Sequence, residues 1–575
     1  MNKTLGSIIL SVMFSWLAAC SSVAQRPSAS AGPATQPVSQ TVALPSVDLT
    51  PDLLFDMLLG EIAGQRGQLD VALASLKHAA LKSRDPRLVE RATLVGLYAK
   101  RPADALDTAR LWVELQPDNA DAREALAAIL METGDTAGAQ QQLQKLLDLS
   151  TNANLPQAYL RISATLGRLQ NRAAALEIMQ ALARLHPDRA ESHFALAHLA
   201  VRVGDLTMAS TSIDRALELR PDWEEAALFK TRILVSQKDV QKVLDFNEKF
   251  LARYPQATNL RMNYARFLVD AKQWDKARVQ FKRVLSSSPK DADAMYAVGL
   301  LALQSNLLDE AETYLNRNLE VQPENDQARL YLAQVAEQRK LYDEAARWYR
   351  EVSPGNFYFE AQARLSLTMA KRGELAAARK LLHELQPDNE QQQVQRALTE
   401  EQMLREAKQY PEALRVLSAA LGELPDNADL LYARALVAER LDNIPLHEAD
   451  LRKVLSKDPK NAHALNALGY TLADRTTRYK EALDLLEQAL AIKPDDPFII
   501  DSMGWAYYRL GQYPEAVKYL TSALEKRPDA EIAAHLGEVL WVMGDRAGAE
   551  SVWSRALKDM PDSEILLGVI KKFKQ

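Results

Sequence analysis

From about residue 51 onward, apolar positions fall into helix-length runs separated by short polar turns, and the turns themselves recur. Pro187, Pro221, Pro255, Pro289 and Pro323 stand 34 residues apart, and Pro425, Pro459, Pro494, Pro528 and Pro561 do so within one residue. Paired helical runs with this period predict an all-α stack of helix-turn-helix units, each hiding its apolar face only against its neighbours.

Residues 497–528, PFIIDSMGWAYYRLGQYPEAVKYLTSALEKRP, show one unit. Gly504 and Ala516, at the eighth and twentieth positions, let the two helices of a hairpin approach closely, and Tyr507 and Leu520 fill the space around them. Gly511, at the fifteenth position, ends the first helix in a left-handed conformation, and Gly67, Gly134, Gly204, Gly373 and Gly544 occupy the same slot. Pro-Asp pairs close the units, and their Asp is expected to cap the helix that follows. The pattern resembles the tetratricopeptide repeat (TPR), which implies a helical-hairpin solenoid with a right-handed superhelix.

Laid along the chain, this frame predicts about fifteen hairpins over 51–561, ten or eleven of them good matches, and a capping helix within 562–575, from Ser563 to Phe573. The weak stretches are 85–118, where Arg101-Pro102 replaces the turn, 224–255, with Lys230 and Val243 at the small positions, and 353–400. The stretch TTRY at 476–479 adds one residue to a turn.

The first fifty residues follow another logic. Lys3 precedes an uncharged apolar run from Leu5 to Trp16, which is short for a membrane span and right for an export signal, so 1–19 reads as a signal peptide. Leu17-Ala18-Ala19-Cys20 looks like a bacterial lipobox, and Cys20 is the chain's single cysteine. Its expected fate is covalent attachment of diacylglycerol, with an N-acyl chain such as palmitate on the new N-terminus. Ser21, in place of Asp, resembles the signal for the outer membrane, with the body facing the periplasm. Residues 20–50 read as the lipidated cysteine and a flexible Ser/Ala/Pro-rich tether.

Charge narrows the partners. The 70 Lys and Arg against 76 Asp and Glu offer no basic field for nucleic acid. The sequence contains no HExxH, Walker loop or GxSxG, and no thiol besides Cys20, so no enzyme, metal or soluble cofactor is expected. His193 and His198 are five apart, which on a helix sets them about 140° apart, unsuited to sharing a metal. Glu224-Glu225 and Glu400-Glu401 read as solvated helix faces.

Two surfaces stand out as candidates for binding a protein. In the C-terminal units, Tyr470, Trp505, Tyr508 and Trp541 fall at the ninth and twelfth positions of first helices, where a TPR groove is lined, and aromatic side chains carry much of the energy of interfaces. The Lys and Asn pattern of chaperone-tail clamps is absent from those positions. In PDLLFDMLLGEIAG at 51–64, Leu54, Phe55 and Leu58 belong to an apolar set that occupies more than one helical face, and no preceding hairpin covers it, so either the tether folds back over it or another protein does.

Lipobox, tether, array length and the run NALGYTLADRTTRYKEALDLLEQALAIKPDDPFIIDSMGWAYYRLG at 466–511 together resemble outer-membrane TPR lipoproteins of the LbcA type, NlpI-like in role, which are adaptors of periplasmic carboxyl-terminal processing proteases. The resemblance implies a non-enzymatic adaptor that binds and activates such a serine protease and brings it together with substrates such as peptidoglycan hydrolases. The alternative in the same class is a scaffold for pilus, secretion or polysaccharide-export machinery.

Overall fold

A computed structural model describes residues 47–169 and 171–574; the signal segment, Cys20 and most of the tether lie outside the described residues. The described residues form 31 α-helices and no strand, numbered here from α1 (Pro51–Gln65) to α31 (Glu564–Lys574). Odd-numbered helices up to α29 (Ala530–Met543) are the first helices of hairpins, and even-numbered ones the second. Contacts divide the chain into two units, one reaching Leu301 and one starting at Ala302.

The repeat frame is visible in backbone conformation. Gly67, Gly134, Gly204, Gly373, Gly511 and Gly544 all have positive φ. Lys100, Lys238, Lys272, Asn306, Lys340, Lys408 and Asp442 stand at the equivalent places and are also left-handed. The chain reversal between the two helices therefore imposes a positive φ whether or not glycine supplies it, at a cost of about 1 kcal/mol for an L side chain. The residue after this slot often caps the second helix: Asp135, Asp205, Asp239, Asn443 and Asp545 each accept a backbone N–H there.

The caps of the first helices correct one expectation. Of the Pro-Asp pairs, Asp529 does accept the amide of Glu531. At the pairs ending in Asp118, Asp388, Asp426 and Asp495, it is the next residue, Asn119, Asn389, Asn427 or Asp496, that caps. Pro and Asp there fill the turn itself, one residue too early to reach the helix amides. Asp426 and Asp495 instead pair with the second helix, the first with Lys453 and Lys457, the second with Lys526.

Hairpin packing follows from the small positions. A Cβ on Gly504 would stand 2.7 Å from Leu520 Cγ, and one on Gly469 equally close to Leu486 Cγ. Where the pattern is weak, polar groups take over the contact. In the hairpin of α3 (Pro86–Tyr98) and α4 (Pro102–Leu115), buried Thr93 donates to buried Thr108 at 3.1 Å. In that of α11 (Glu224–Ser236) and α12 (Val240–Arg253), Thr231 occupies the small position and donates to Asn247 at 3.1 Å. Lys230 points elsewhere, to Asp214 and the Phe246 ring, while Val243 is fully buried.

The irregular stretch near 353–400 arises from helix lengths. The second helices α18 (Tyr342–Arg350) and α20 (Leu375–Glu384) have 9 and 10 residues, and the first helix α21 (Glu390–Glu406) has 17. Here Glu400 and Glu401, expected on a solvated face, are buried. Glu400 meets Arg379 and His383 at 2.7 and 2.8 Å, and Glu401 meets Arg405 at 2.7 Å. Burial raises the Glu401 pKa, with Arg405 opposing. At the one-residue insertion, Thr476 is extended and its hydroxyl donates to the Leu472 carbonyl and accepts from the Arg478 amide. At the far end, α31 buries Leu566 and sets Phe573 against Trp541 and Trp553.

Candidate functional site

Helix α1 starts at Thr50, whose hydroxyl accepts the Leu53 amide, and it packs on α2 (Leu69–Ser83) through Leu53, Gly60 and Ala63. Gly60 is needed for that approach, since a Cβ there would lie 2.6 Å from Leu76 Cγ. One face is thus spent on α2, and among the described residues nothing covers the other. Leu54, Phe55, Leu58 and Ile62 stay exposed, Phe55 at 63%. The spacing of 55, 58 and 62 draws them into a stripe along one side of the helix.

Three of the four aromatic residues near the C-terminus gather around His535 and Asp501, which periodicity did not single out. Helices α25 (Ala462–Arg475), α27 (Pro497–Arg509) and α29 are successive first helices. Trp505 of α27 is 7% exposed, donates its indole N–H to Asp474 at 3.0 Å, and stacks on His535 of α29 with ring centroids 4.1 Å apart. Tyr470 and Tyr508 lie 6.1 Å from His535 and 4.9 Å from Trp505 by ring centroids. His535 Nδ1 is 3.0 and 3.1 Å from the two carboxylate oxygens of Asp501. Tyr508 donates to Glu538, which also pairs with Lys572 of α31.

Electrostatics follow from this enclosure. Burial works against a charge on His535, but the carboxylate of Asp501, helped by Glu531 and Glu538, outweighs it and raises the pKa. Burial also raises the pKa of Glu531, with Asp501 and Asp529 adding and His535 and Arg440 opposing. Trp541 is engaged differently: it stacks on Trp553 at 5.7 Å and meets the tilted Phe573 ring at 6.1 Å, with the Arg546 guanidinium 5.2 Å from its own ring. The structure therefore brings Tyr470, Trp505 and Tyr508 together around His535 and sets Trp541 against the end helix. The missed residues had a sequence signal only in retrospect: Asp501 is at the fifth position of its unit and Glu538 at the ninth.

His193 and His198 do not converge on a site: His193 contacts the Pro187 carbonyl at 3.0 Å, while His198 stacks on Phe229. Among the described residues, no group of three or more His, Cys, Asp or Glu is arranged to hold a metal ion, and no helix is long and apolar enough to cross a membrane.

Tetratricopeptide-repeat profiles match residues 190–222, 265–319, 299–356, 448–497 and 475–537. The TPR repeat-containing protein PA4667 of Pseudomonas aeruginosa is 33% identical over 540 residues, covering 94% of this chain and 90% of that protein. The chain belongs to the tetratricopeptide-repeat proteins. Among solved structures, the thermophilic TPR protein TTC0263 of Thermus thermophilus is 22% identical with a TM-score of 0.29, covering 32% of this chain and 97% of that one. The Cut9–Hcn1 hetero-tetramer of the APC/C is 16% identical with a TM-score of 0.32, covering 85% and 96%. As a TPR protein, this chain is built to bind other proteins through the faces of its stacked helices.

Proposed function

We propose that this TPR protein is a lipid-anchored adaptor of the bacterial outer membrane, held through Cys20, that binds and activates a periplasmic carboxyl-terminal processing serine protease and brings it together with substrates such as peptidoglycan hydrolases. The protein itself performs no catalysis in this reading. The observation that carries it is the open stripe of Leu54, Phe55, Leu58 and Ile62 on α1, at the end of the described helices that lies nearest the tether. Burying each such side chain contributes on the order of 2 kcal/mol, so a partner that covers the stripe gains enough to form a stable complex. The lipobox and tether of the sequence supply the membrane attachment, and the length of the tether gives the body reach above the surface.

The test uses purified protein and the protease of the same cell, mixed in solution where membrane distance is irrelevant. Phe55→Asp with Leu58→Asp should leave melting unchanged, because both side chains are already exposed, and should abolish co-purification and stimulated proteolysis. A folded double variant that binds and activates like the wild type would exclude α1 as the docking element.

A further inference from the structure

A second face, within the unit that reaches Leu301, joins aromatic rings to cations that have no acidic partner. Helices α9 (Ala190–Val203) and α11 are first helices of successive hairpins. The His198 ring of α9 lies flat on the Phe229 ring of α11, 3.9 Å between centroids and 3° from parallel. Phe194 supports the pair from 4.7 Å on one side and stands 4.5 Å from Trp223 on the other. Arg220 lies 3.5 Å over the Trp223 ring and pairs with Glu191 at 3.0 Å, which ties this base together. Phe194 and Phe229 are buried and His198 half-buried, so the shelf shows an edge to solvent.

Charge near that edge has one sign. Arg202 follows His198 by four residues on α9 and Arg232 follows Phe229 by three on α11, so each stands on the same face of its helix as the stacked ring. Burial lowers the His198 pKa, and the charges of Arg232 and Arg202 add to the shift. Both arginines are exposed. Several other arginines of first helices meet carboxylates, Arg161 pairing with Asp121 and Glu124, Arg266 with Asp293, and Arg364 with Glu337 and Glu360, while Arg123 and Arg261 turn to glutamine side chains. Among the described residues, no carboxylate stands within ion-pair distance of Arg202 or Arg232. The lowered pKa favours the neutral imidazole, which adds ring surface without charge.

We propose that this face of α9 and α11 docks an extended acidic segment of a protein partner, whose Asp or Glu side chains pair with Arg202 and Arg232 while an adjacent apolar side chain lies against the His198–Phe229 stack. Charge complementarity selects this occupant: guanidiniums favour carboxylates in forked geometry, and a basic or neutral segment would leave both cations uncompensated. The inference rests on the protein-binding reading of the repeats and not on the identity of the protease.

The probes are two fluorescein-labelled peptides with amide-capped C-termini, Glu-Phe-Asp-Glu-Leu-Glu and its counterpart with Gln and Asn, titrated against the full chain in detergent and followed by anisotropy. The acidic peptide should bind at least about ten-fold tighter than the neutral one, and less tightly as salt rises. Arg202→Gln with Arg232→Gln should weaken it by about ten-fold at unchanged melting temperature, whereas Arg202→Lys with Arg232→Lys, which keeps the charge and loses the fork, should bind between the Gln variant and the wild type and keep the salt dependence. The Gln variant should still bind the protease, which separates this site from α1. Equal binding of both peptides, no binding of the acidic one, or a folded Gln variant with wild-type affinity would each overturn the proposal.

Discussion

The imidazole of His535 is held between the indole of Trp505, 4.1 Å away by ring centroids and 27° from parallel, and the carboxylate of Asp501, 3.0 Å from Nδ1. The three residues come from two hairpins, so the contact fastens α29 to α27. It also places a titrating group inside an aromatic cluster of the unit from Ala302 onward.

That group makes stability depend on pH in a defined direction. The folded pKa of His535 is raised, so the stabilisation by Asp501 is fully present below the ordinary histidine value of about 6.5 and is lost as pH climbs through the raised value. Hydrogen exchange over 497–543, corrected for the intrinsic effect of pH, should be slower near roughly pH 6 than near pH 9. Asp501→Asn should remove this difference and cost on the order of 3 kcal/mol. Equal protection at both pH values in the wild type would show that the imidazole does not gain its proton from this pair.

Gly537 faces the indole of Trp553 so closely that a Cβ would overlap its Nε1. Gly537→Ala should displace the indole, loosen Phe573 and Trp541 with it, and cost about 1–3 kcal/mol. Thermal melting measures the loss, and faster exchange should be confined to the last hairpin and α31. A variant that melts like the wild type would mean that the indole shifts at no cost.

Replacing left-handed lysines should do the opposite. Lys238, Lys272 and Lys340 have φ of 59°, 58° and 62°. Each Lys→Gly change should add up to about 1 kcal/mol by relieving this conformation, with the three nearly additive because they lie in separate turns. Melting of the single and triple variants checks it; unchanged or lower midpoints would show that the lysine side chains contribute more than the strain removes.

Cys20→Ala should leave the helical array folded, because the tether separates Cys20 from α1, and should move the protein out of outer-membrane fractions. The measurements are fractionation and labelling with a fatty acid. Labelled variant protein that still sediments with the outer membrane would remove Cys20 from the anchor.

Much of the architecture was legible along the chain because the forces that set it are local and repeat. A left-handed turn every 34 residues, a small residue where two helices touch and a cap after each turn are short-range requirements, so they leave a periodic trace in composition. The same locality exposed the α1 stripe, since a first helix without a neighbour lacks half of its cover. What periodicity could not supply were contacts between repeats. Glu400 and Glu401 read as solvated because helix spacing says nothing of Arg379 reaching across from α20. Trp505 read as a free groove residue, yet its N–H is bound by Asp474 and its face by His535, 31 and 30 residues away along the chain. Periodicity did not single out Arg202 and Arg232 either, because the His198–Phe229 stack beside which they stand on their helices forms only when two hairpins pack. Sequence by itself determined the repeat, because each turn carries its own instructions; only tertiary structure decided which rings and charges remain free, because partners one repeat apart meet only when the hairpins stack.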